Sequence, residues 1–388
     1  MPPSDEIIIA GAGIGGLAAA LSLHAAGFAV QVFESVPEIK PLGVGLNLLP
    51  HAVRELEELG LRAPLEHSGV ACRELAYFTK RGECIWGEPR GLAAGYRWPQ
   101  ISIHRGTLQF LLLEAVKQRL GGSSLHLGCQ LAGFEARPGQ GVRAQFIDRA
   151  TGGPGITAEA RLLIACDGIH SAARRILYPG EGLPRWNGAV MWRGVAEFDR
   201  VLDGHKMIMA GHPRAKFVCY PISHAASRPE AQQINFVAEL RFDTTALEER
   251  EDWNRPGRLE DFLPAFEHFR FDWLDVPALI RAAPAVWVYP MVDRDPLARW
   301  THGPIIHTRE TKRICSGARP CRSHVRRRCG LHPEKDQAEP GTAGVSNEGS
   351  GSTEGSHFGS AISRQPRALH GLLESRGRGE CRAWRRHA

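Results

Sequence analysis

The chain of 388 residues is 43% hydrophobic, which is typical of a soluble protein, and its length allows two domains with a sizeable core. The formal net charge of +6 does not indicate a nucleic-acid partner for the main part of the chain: residues 301–388 hold 16 Lys and Arg against 8 Asp and Glu, whereas the first 300 hold 32 against 34, a net charge of −2. Nine cysteines without CxxC pairs indicate neither zinc nor a disulfide framework, so we expect a cytoplasmic protein with reduced thiols and no metal.

The first thirty-odd residues have the pattern of a dinucleotide-binding unit. In order, the pattern predicts a buried strand, a glycine-rich turn, a helix, a second strand and a carboxylate: Ile7–Ala10, Gly11-Ala12-Gly13-Ile14-Gly15-Gly16, 17–26, 29–33 and Glu34. Gly11 permits the tight turn, Gly13 lets a pyrophosphate approach the backbone, and Gly16 lets the helix lie close to the strand. Glu34 can accept both ribose hydroxyls, which favours FAD or NAD over NADP.

The same apolar stretch could instead be a signal peptide or a membrane span. Asp5 and Glu6 precede it where a signal peptide carries positive charge, and no small-residue cleavage site follows. No other stretch reaches the roughly 18 apolar residues that a transmembrane helix needs. We therefore predict no membrane segment.

Two glycine-containing stretches follow. The loop Pro41-Leu42-Gly43-Val44-Gly45-Leu46-Asn47 is either a plain turn or a ligand contact, and a helix is predicted over 51–59. Alternating strands are predicted over 73–87, and His104-Arg105-Gly106 begins a second helix. Because the positive charge of Arg105 opposes the dipole at the start of that helix, its position needs another reason. A phosphate or ribityl contact and a buried ion pair both remain open.

Strands are then predicted over 125–128, 131–136, 142–147 and 158–165, the last of which returns to the opening sheet. Asp167 and Gly168 follow this strand at the edge where open α/β sheets bind ligands. Ser171 could be only a helix cap, and Arg174 only a solvated helix charge.

The period changes to alternation over residues 188–242, which predicts a mostly antiparallel sheet with one face open to a ligand. Helices are predicted over 259–266 and 273–283, and an apolar strand over 286–290. The predicted domains are an α/β dinucleotide-binding domain over 1–180, an inserted substrate-binding β-sheet over 181–285, an incomplete return to the first domain over 286–303, and an aberrant or disordered basic tail over 304–388.

With these motifs assembled, the chain resembles the FAD-dependent class A aromatic monooxygenases. The resemblance rests on GAGIGG ending at Glu34, on HRGTL around Arg105 and on DGIHSAAR from Asp167, and is supported by PLGVGLN, MWRGVAEFDRVLDG and YPMVDRDPL. It implies a Rossmann-like FAD-binding domain with an inserted β-sheet, reduction of FAD by NADH or NADPH, and reaction with O₂ to a flavin C4a-hydroperoxide. This flavin species would hydroxylate an aromatic substrate resembling a phenazine carboxylate or a hydroxybenzoate.

The resemblance also implies roles for the matching residues. The glycines, Ile14 and Glu34 would hold the ADP half of FAD, Arg105 the pyrophosphate and ribityl region, and the backbone of Leu131 the adenine. Asp167 and Gly168 belong to a segment linked to both FAD and NAD(P)H, and Val44 and Gly45 would lie near the isoalloxazine. From strand position alone, Arg193 and Tyr220 could orient the substrate, although core or surface packing is the alternative for either.

The family pattern is interrupted after Gly303, where relatives continue with a strand and a GDAAH segment that holds the flavin ribityl chain. One hypothesis is a frameshifted translation, which we favour; the other is a disordered arm whose arginines contact nucleic acid or acidic lipid. Without that segment we expect weak FAD binding at best. Alternative functions are an FAD-dependent dehydrogenase or epoxidase, or a non-catalytic remnant, and the sequence leaves a homodimer open.

Overall fold

A computed structural model describes residues 6–224, 228–243 and 255–308. The α-helices of these residues are α1 (Ile14–Ala25), α2 (Pro50–Glu58), α3 (Arg62–Ser68), α4 (Arg105–Leu120), α5 (Ala172–Leu177) and α6 (Val276–Arg281). The strands are β1 (Glu6–Ala10), β2 (Ala29–Phe33), β3 (Gly45–Leu48), β4 (Val70–Cys72), β5 (Glu74–Phe78), β6 (Cys84–Pro89), β7 (Gln100–His104), β8 (Leu125–His126), β9 (Cys129–Arg137), β10 (Gly141–Asp148), β11 (Pro154–Ala160), β12 (Leu162–Ala165), β13 (Arg185–Asp199), β14 (Lys206–His212), β15 (Ala215–His224), β16 (Ala231–Arg241), β17 (Arg270–Phe271), β18 (Leu274–Asp275), β19 (Val286–Asp293), β20 (Thr301–His302) and β21 (Ile305–His307).

A six-stranded sheet in the order β20-β21-β12-β1-β2-β8 forms the centre of the first domain. Its strands are parallel except for β20, which pairs antiparallel with β21 at the edge. The run Ile7–Ile9 is fully buried, as expected of a strand covered on both faces. Because β1 and β12 are neighbours and parallel, the glycine turn after β1 and the Asp167 segment after β12 lie at the same edge of the sheet.

A three-stranded antiparallel sheet, β11-β10-β9, packs its apolar face on the parallel sheet. The prediction of one strand over 158–165 is wrong. Residues 158–160 end β11, and only Leu162–Ala165 enters the parallel sheet. The chain changes sheets at the half-buried Arg161, whose N–H donates to Glu6 O at 2.9 Å.

A seven-stranded sheet in the order β19-β13-β16-β15-β14-β5-β6 confirms the predicted, mostly antiparallel second domain. Only the pair of β14 and β5 is parallel. One face is covered by an aromatic core to which Trp192, Phe217 and Phe236 contribute. Side chains of the other face, which we call the roof, are methionines, aliphatic residues and tyrosine: Met191, Val195, Met207, Met209, Val218, Tyr220, Ile222 and Val237.

In this domain one helix prediction is wrong and another is too long, and each of the two segments contains a proline. Residues 259–266 form two 3-10 helices, Leu259–Asp261 and Leu263–Phe266, because Pro264 cannot supply the N–H that a continuous α-helix needs in its interior. The helix predicted over 273–283 is α6 only, in which Pro277 occupies the first turn. Asp275 caps it by accepting the Ala278 N–H at 2.9 Å.

Three predicted domain boundaries also change. Strand β19 pairs with β13, so residues 286–293 belong to the seven-stranded sheet and not to the first domain. Strands β5 and β6, inside the predicted 1–180 domain, extend the same sheet. The chain does return to the parallel sheet, since Leu163 pairs with Ile305 and Ala165 with His307. The prediction that the fold is interrupted at 304 is therefore wrong, because the strand continues to His307; the tail hypotheses concern residues from 309 on, which lie outside the described residues.

Candidate active site

The glycine turn after β1 is shaped by close backbone contacts. Gly11 has φ +103°, and a Cβ there would lie 2.4 Å from Cys166 O. A Cβ on Gly16 would lie 1.8 Å from Gly11 O, so only glycine lets α1 start this close to the strand. A Cβ on Gly13 would meet no atom within 4 Å. The turn is thus packed by protein at Gly11 and Gly16 and open at Gly13.

Two distant side chains hold Ala12 in the middle of this turn. Glu34, at the end of β2, accepts the Ala12 N–H through Oε2 at 2.6 Å. Gln109 of α4 donates from Nε2 to Ala12 O at 3.0 Å. The other carboxylate oxygen of Glu34, Oε1, accepts the Val36 N–H at 2.9 Å and the Ser35 hydroxyl at 3.0 Å. The Glu34 carboxylate is therefore fixed beside the turn, and a lone pair is left on Oε2 for a ribose hydroxyl.

Asp167 lies beside the same turn, since its Cα would be 3.2 Å from a Cβ on Gly11. Its Oδ2 accepts the Ala173 N–H at 3.2 Å, at the start of α5. Its Oδ1 is buried and has no hydrogen-bond partner among the described residues. A buried carboxylate oxygen without a donor is costly, so this atom marks a place where a ligand hydroxyl or amide fits. The neighbouring Gly168 is exposed, with φ +77°.

The alternatives for Ser171 and Arg174 are resolved by their contacts. Ser171 caps α5, because its Oγ accepts the Arg174 N–H at 2.9 Å. The Arg174 side chain is only 4% exposed, and its Nε donates to Glu181 Oε2 at 2.6 Å. Arg294 donates to the same carboxylate oxygen at 3.1 Å. Hydrogen bonding to Arg174, more than its charge, lowers the pKa of Glu181, and Arg294 adds to the effect.

The loop 43–45 lies against the start of α4. The Arg105 N–H donates to Val44 O at 2.9 Å, and a Cβ on Gly43 would lie 3.4 Å from the Arg105 side chain. No described acidic side chain pairs with Arg105, so the ion-pair alternative is not supported. Arg105 is solvent-accessible, yet partial burial in the cleft lowers its pKa, Tyr289 opposes this effect, and the positive charge of Arg193 adds to it.

The other side of this loop is held by the roof. Asn235 accepts the Gly45 N–H through Oδ1 at 2.7 Å, and Arg193 donates from Nη2 to Gly45 O at 2.7 Å. A Cβ on Gly45 would lie 2.7 Å from both Asn235 Cβ and Ile222 Cγ2. Only glycine permits this approach between the first domain and the seven-stranded sheet. The loop is thus clamped between α4 and the roof.

The roof supplies few polar groups to the space beside Gly45. The Arg193 guanidinium lies 5.5 Å from the centre of the Tyr289 ring. Burial raises the pKa of the Tyr289 hydroxyl, and the charges of Arg193 and Arg105 partly oppose this. Tyr220 lies opposite Asn235 in the sheet and is 5% exposed. Arg193 and Tyr220, both predicted from strand position, are therefore on the roof, together with two residues that were not predicted, Asn235 and Tyr289.

The opposite end of the site is reached by β9. The Glu34 backbone pairs with it, because the Cys129 N–H donates to Glu34 O at 2.8 Å. Leu131, two residues along, is 5% exposed and packs in the core that contains Phe33 and Phe146. Phe33 stacks between His126 and Phe146, with ring centroids 4.5 and 4.1 Å apart. Leu131 therefore lies near Glu34, in a core cluster that contains no roof residue.

One helix connects the two ends of the site. Arg105 and Gln109 are four residues apart on α4, so they lie on one face, with Cβ atoms about 6 Å apart. Arg105 contacts the 43–45 loop, whereas Gln109 contacts the glycine turn. A ligand that follows this face would touch both ends.

Three comparisons with known proteins agree with this geometry. Residues 5–257 match the family model described as FAD binding domain. The chain is 45% identical to the phenazine 1,6-dicarboxylic acid hydroxylase of Lysobacter antibioticus over 77% of its own length and 74% of the relative. It is 31% identical to a 3-amino-4-hydroxybenzoate 2-monooxygenase of Streptomyces platensis, over 77% of this chain and 70% of the relative. The structure of HpxO from Klebsiella pneumoniae with FAD and uric acid is similar, with a TM-score of 0.62, 27% identity, and coverage of 78% of this chain and 72% of that one.

The chain belongs to the FAD-dependent aromatic monooxygenases. The predicted cofactor, FAD, and the predicted reaction class, hydroxylation of an aromatic compound, are confirmed by this membership. The residues present fit FAD, because Gly13 is open, Glu34 lies beside the turn and Asp167 Oδ1 is buried without a donor. Within the described residues no helix is long and apolar enough to cross a membrane, and no group of side chains could hold a metal ion.

The residues that the sequence did not single out share one property. Gln109, Asn235 and Tyr289 act on segments far away in the chain, as in the contact of Asn235 with Gly45 across 190 positions. Gln109 has a local signal, because it lies four residues after Arg105 on the predicted helix. Asn235 has a weaker one, as a polar residue within the apolar alternation of β16.

Proposed function

We propose that this monooxygenase hydroxylates an aromatic carboxylic acid resembling a phenazine carboxylate or a hydroxybenzoate. The observation that carries the proposal is a pair of cations, Arg105 and Arg193, both close enough to Tyr289 to lower its pKa, beside an otherwise apolar roof. No described acidic side chain neutralises Arg105, and the Arg193 Nε is buried without a partner among the described residues. An apolar roof with two cations beside it favours the binding of a flat apolar ring that carries a negative charge at one edge.

The similarity to the phenazine 1,6-dicarboxylic acid hydroxylase supports the same substrate class. A phenazine carboxylate combines a flat fused ring with a carboxylate, and the methionines of the roof suit a ring of that width because they are flexible and polarisable. Arg193 would pair with the carboxylate, while Tyr220 and Tyr289 would line the ring.

The residues proposed to hold FAD are those that the family resemblance assigns, and the geometry of the glycine turn, Glu34 and Asp167 supports this proposal. Gly11, Gly13 and Gly16 with the start of α1 would bind the pyrophosphate, and Glu34 the ribose. Ile14 and Gly15 belong to that helix start, Leu131 would border the adenine, and Arg105 and Asp167 would contact the middle of the cofactor. Val44, Gly45 and Gly168 would border its flavin end.

When bound, FAD would accept electrons from NADH or NADPH and would activate O₂. The residues of the chain would orient the substrate and exclude water from it. Val44 is buried and the roof is apolar, so the space between them keeps water from the reacting ring. Because burial raises the pKa of Tyr289, its hydroxyl stays protonated near neutral pH and can donate a hydrogen bond to the substrate.

The proposal is tested with the full chain supplied with FAD. We expect oxidation of NADH or NADPH and uptake of O₂ to be stimulated by an aromatic acid, and a product heavier by one oxygen atom. Stimulated oxidation without O₂ uptake would indicate a dehydrogenase, and oxygen transfer to an alkene an epoxidase. A chain that retains no FAD under any condition would be a non-catalytic remnant. We also propose that the enzyme works in the cytoplasm, where NAD(P)H is available, and a homodimer stays a prediction to be tested by light scattering.

A further inference from the structure

Asn235 is a buried amide on the roof with half of its hydrogen-bonding capacity unused. Its side chain is fully buried, and Oδ1 accepts the Gly45 N–H at 2.7 Å. Its Nδ2 is buried and has no partner among the described residues. The amide orientation is determined by chemistry, because a backbone N–H can only donate and so requires the oxygen to face Gly45. The two N–H donors of Asn235 must therefore point elsewhere.

Arg193 repeats this arrangement beside it. Arg193 donates from Nη2 to Gly45 O, while its Nε is buried and unpartnered within the described chain. In the sheet, Val195 lies opposite Asn235 and Arg193 opposite Val237, so Arg193 and Asn235 are diagonal neighbours on one face. Both side chains grip Gly45, one at its N–H and the other at its carbonyl. Their unused donors consequently lie within a few ångströms of the same residue.

Two unpaired donors in one buried place are unfavourable for the protein alone. Each buried donor without an acceptor costs about 1–3 kcal/mol. The roof around them is made of Met191, Tyr220 and Val237, and none of these side chains carries a carbonyl or carboxylate acceptor. A carboxylate supplies two acceptor oxygens with four lone-pair sites, which matches two donors of which one is charged.

We propose that Asn235 is a binding residue for the carboxylate of the aromatic substrate, and that its bond to Gly45 orients it for this task. Arg193 supplies the charge and Asn235 Nδ2 the second donor. The same two side chains hydrogen-bond Gly45, so the bound carboxylate would have a fixed position relative to the 43–45 loop that borders the flavin. The inference rests on the proposed function, since it assigns a partner to the carboxylate of that substrate class.

The variant Asn235→Asp separates the two roles of the side chain. An aspartate keeps the oxygen that accepts the Gly45 N–H but replaces the donor with a second oxygen, which repels a carboxylate. Asn235→Ala removes both groups. Gln232→Glu is the matched control, because Gln232 is a buried amide on the same strand that donates to Gly204 O on the side away from the roof.

Titration of the full chain with phenazine-1,6-dicarboxylate, with and without FAD, measures how much the Asn235 Nδ2 donor contributes to the affinity for the acid. We expect Asn235→Asp to weaken binding of this acid at least tenfold while FAD affinity changes less than twofold, and Gln232→Glu to leave both affinities unchanged. Amide hydrogen exchange measures the other role: Gly45 should stay protected in Asn235→Asp and lose protection in Asn235→Ala.

Three results would overturn the assignment. Unchanged acid binding in Asn235→Asp would show that Nδ2 makes no substrate contact. Loss of FAD affinity with unchanged acid binding would assign the donor to the cofactor. Failure of the unaltered chain to bind the acid would refute the substrate class, and with it this inference, and is distinguished from the first result because it does not involve the variant.

Discussion

The two ends of the proposed FAD site, which we call the ADP end and the flavin end, are built in different ways. The ADP end is made by neighbours in sequence: Glu34 reaches the Ala12 N–H across 22 positions, and both belong to one strand-helix-strand unit. The flavin end is assembled from distant parts of the chain, because Gly45 bonds Arg193 across 148 positions and Asn235 across 190. The core of the first end is therefore one unit of about thirty residues, which Gln109 and the Cys166-Asp167 segment support from elsewhere in the chain. The second end exists only when the seven-stranded sheet has docked.

This difference has energetic consequences. At Gly11 and Gly16 the ADP end is held by backbone contacts that leave no room for a side chain, so a change at either residue acts on folding itself. The flavin end is held by a few hydrogen bonds between domains, each contributing about 1 kcal/mol, and more when a charge is involved. Changes at the flavin end should therefore alter binding and coupling while the protein stays folded.

The largest expected effect concerns the residues after Thr308, where the family resemblance leads us to expect the GDAAH segment. Residues 309–315 are compatible with several sets of codons. In one of these sets, CGG GAG ACG AAG CGC ATC TGC, the frame that starts at the third base of the Arg309 codon encodes Gly-Asp-Glu-Ala-His-Leu. This differs at one position from the start of the GDAAH pattern. We expect the gene to contain these codons, and a protein that carries the alternative segment to retain FAD at one per chain.

Sequencing the gene and recording absorption spectra of both proteins check this prediction. The chain as given should purify with little flavin. Codons that encode no such segment, or a chain as given that carries stoichiometric flavin, would remove the frameshift hypothesis.

At the ADP end, Gly16→Ala and Gly13→Ala should behave oppositely. The added methyl group at Gly16 would lie against backbone that cannot move aside, so we expect a loss of about 1–3 kcal/mol in the free energy of unfolding. At Gly13 the methyl group meets open space, so stability should be unchanged while FAD affinity falls about tenfold, or about 1.4 kcal/mol. Thermal unfolding without FAD measures the stability of both variants, and titration with FAD measures their affinity for the cofactor. Equal stability of both variants would contradict the packing argument.

At the flavin end, Arg193→Lys should leave FAD affinity unchanged and raise the KM for the aromatic acid about tenfold. Lysine keeps the positive charge but cannot bond Gly45 O and a carboxylate at once, as the guanidinium fork can. Arg241→Lys is the control, because Arg241 bonds Asn187 O at the exposed end of the sheet. A KM that changes equally in both variants would mean that Arg193 has no special role.

The smallest effect lies between the two ends, at Glu181, which joins α5 to the segment after β19 through Arg174 and Arg294. The Glu181 pKa is lowered in the folded protein, so its contribution to stability is present above the unfolded value near 4.5 and is lost as the pH falls through the lowered value. Glu181→Gln should therefore reduce the melting temperature at pH 7, and the difference from the unaltered chain should shrink below about pH 4. A difference that is constant from pH 7 to pH 3 would contradict this assignment.

The same contrast explains what the sequence could predict. Strand β2 is found at the predicted residues 29–33, and Ser171 caps α5, because these features depend on neighbouring residues. The residues that grip Gly45 were missed or assigned only by strand position, because register and docking are not encoded locally. The strand Ile305–His307 was missed because three residues are too short to show a period. The pairing of this strand with β12 adds it to the parallel sheet through His307.

The central claim is that the chain transfers one oxygen atom of O₂ to an aromatic acid. It is tested most directly by incubating the full chain with FAD, NADH or NADPH, phenazine-1,6-dicarboxylate and ¹⁸O₂, and by measuring the mass of the product. The account predicts one ¹⁸O atom per product molecule and one nicotinamide oxidised per hydroxylation. Product without ¹⁸O, or nicotinamide oxidation in a chain with bound FAD that yields only hydrogen peroxide for every aromatic acid tried, would contradict it.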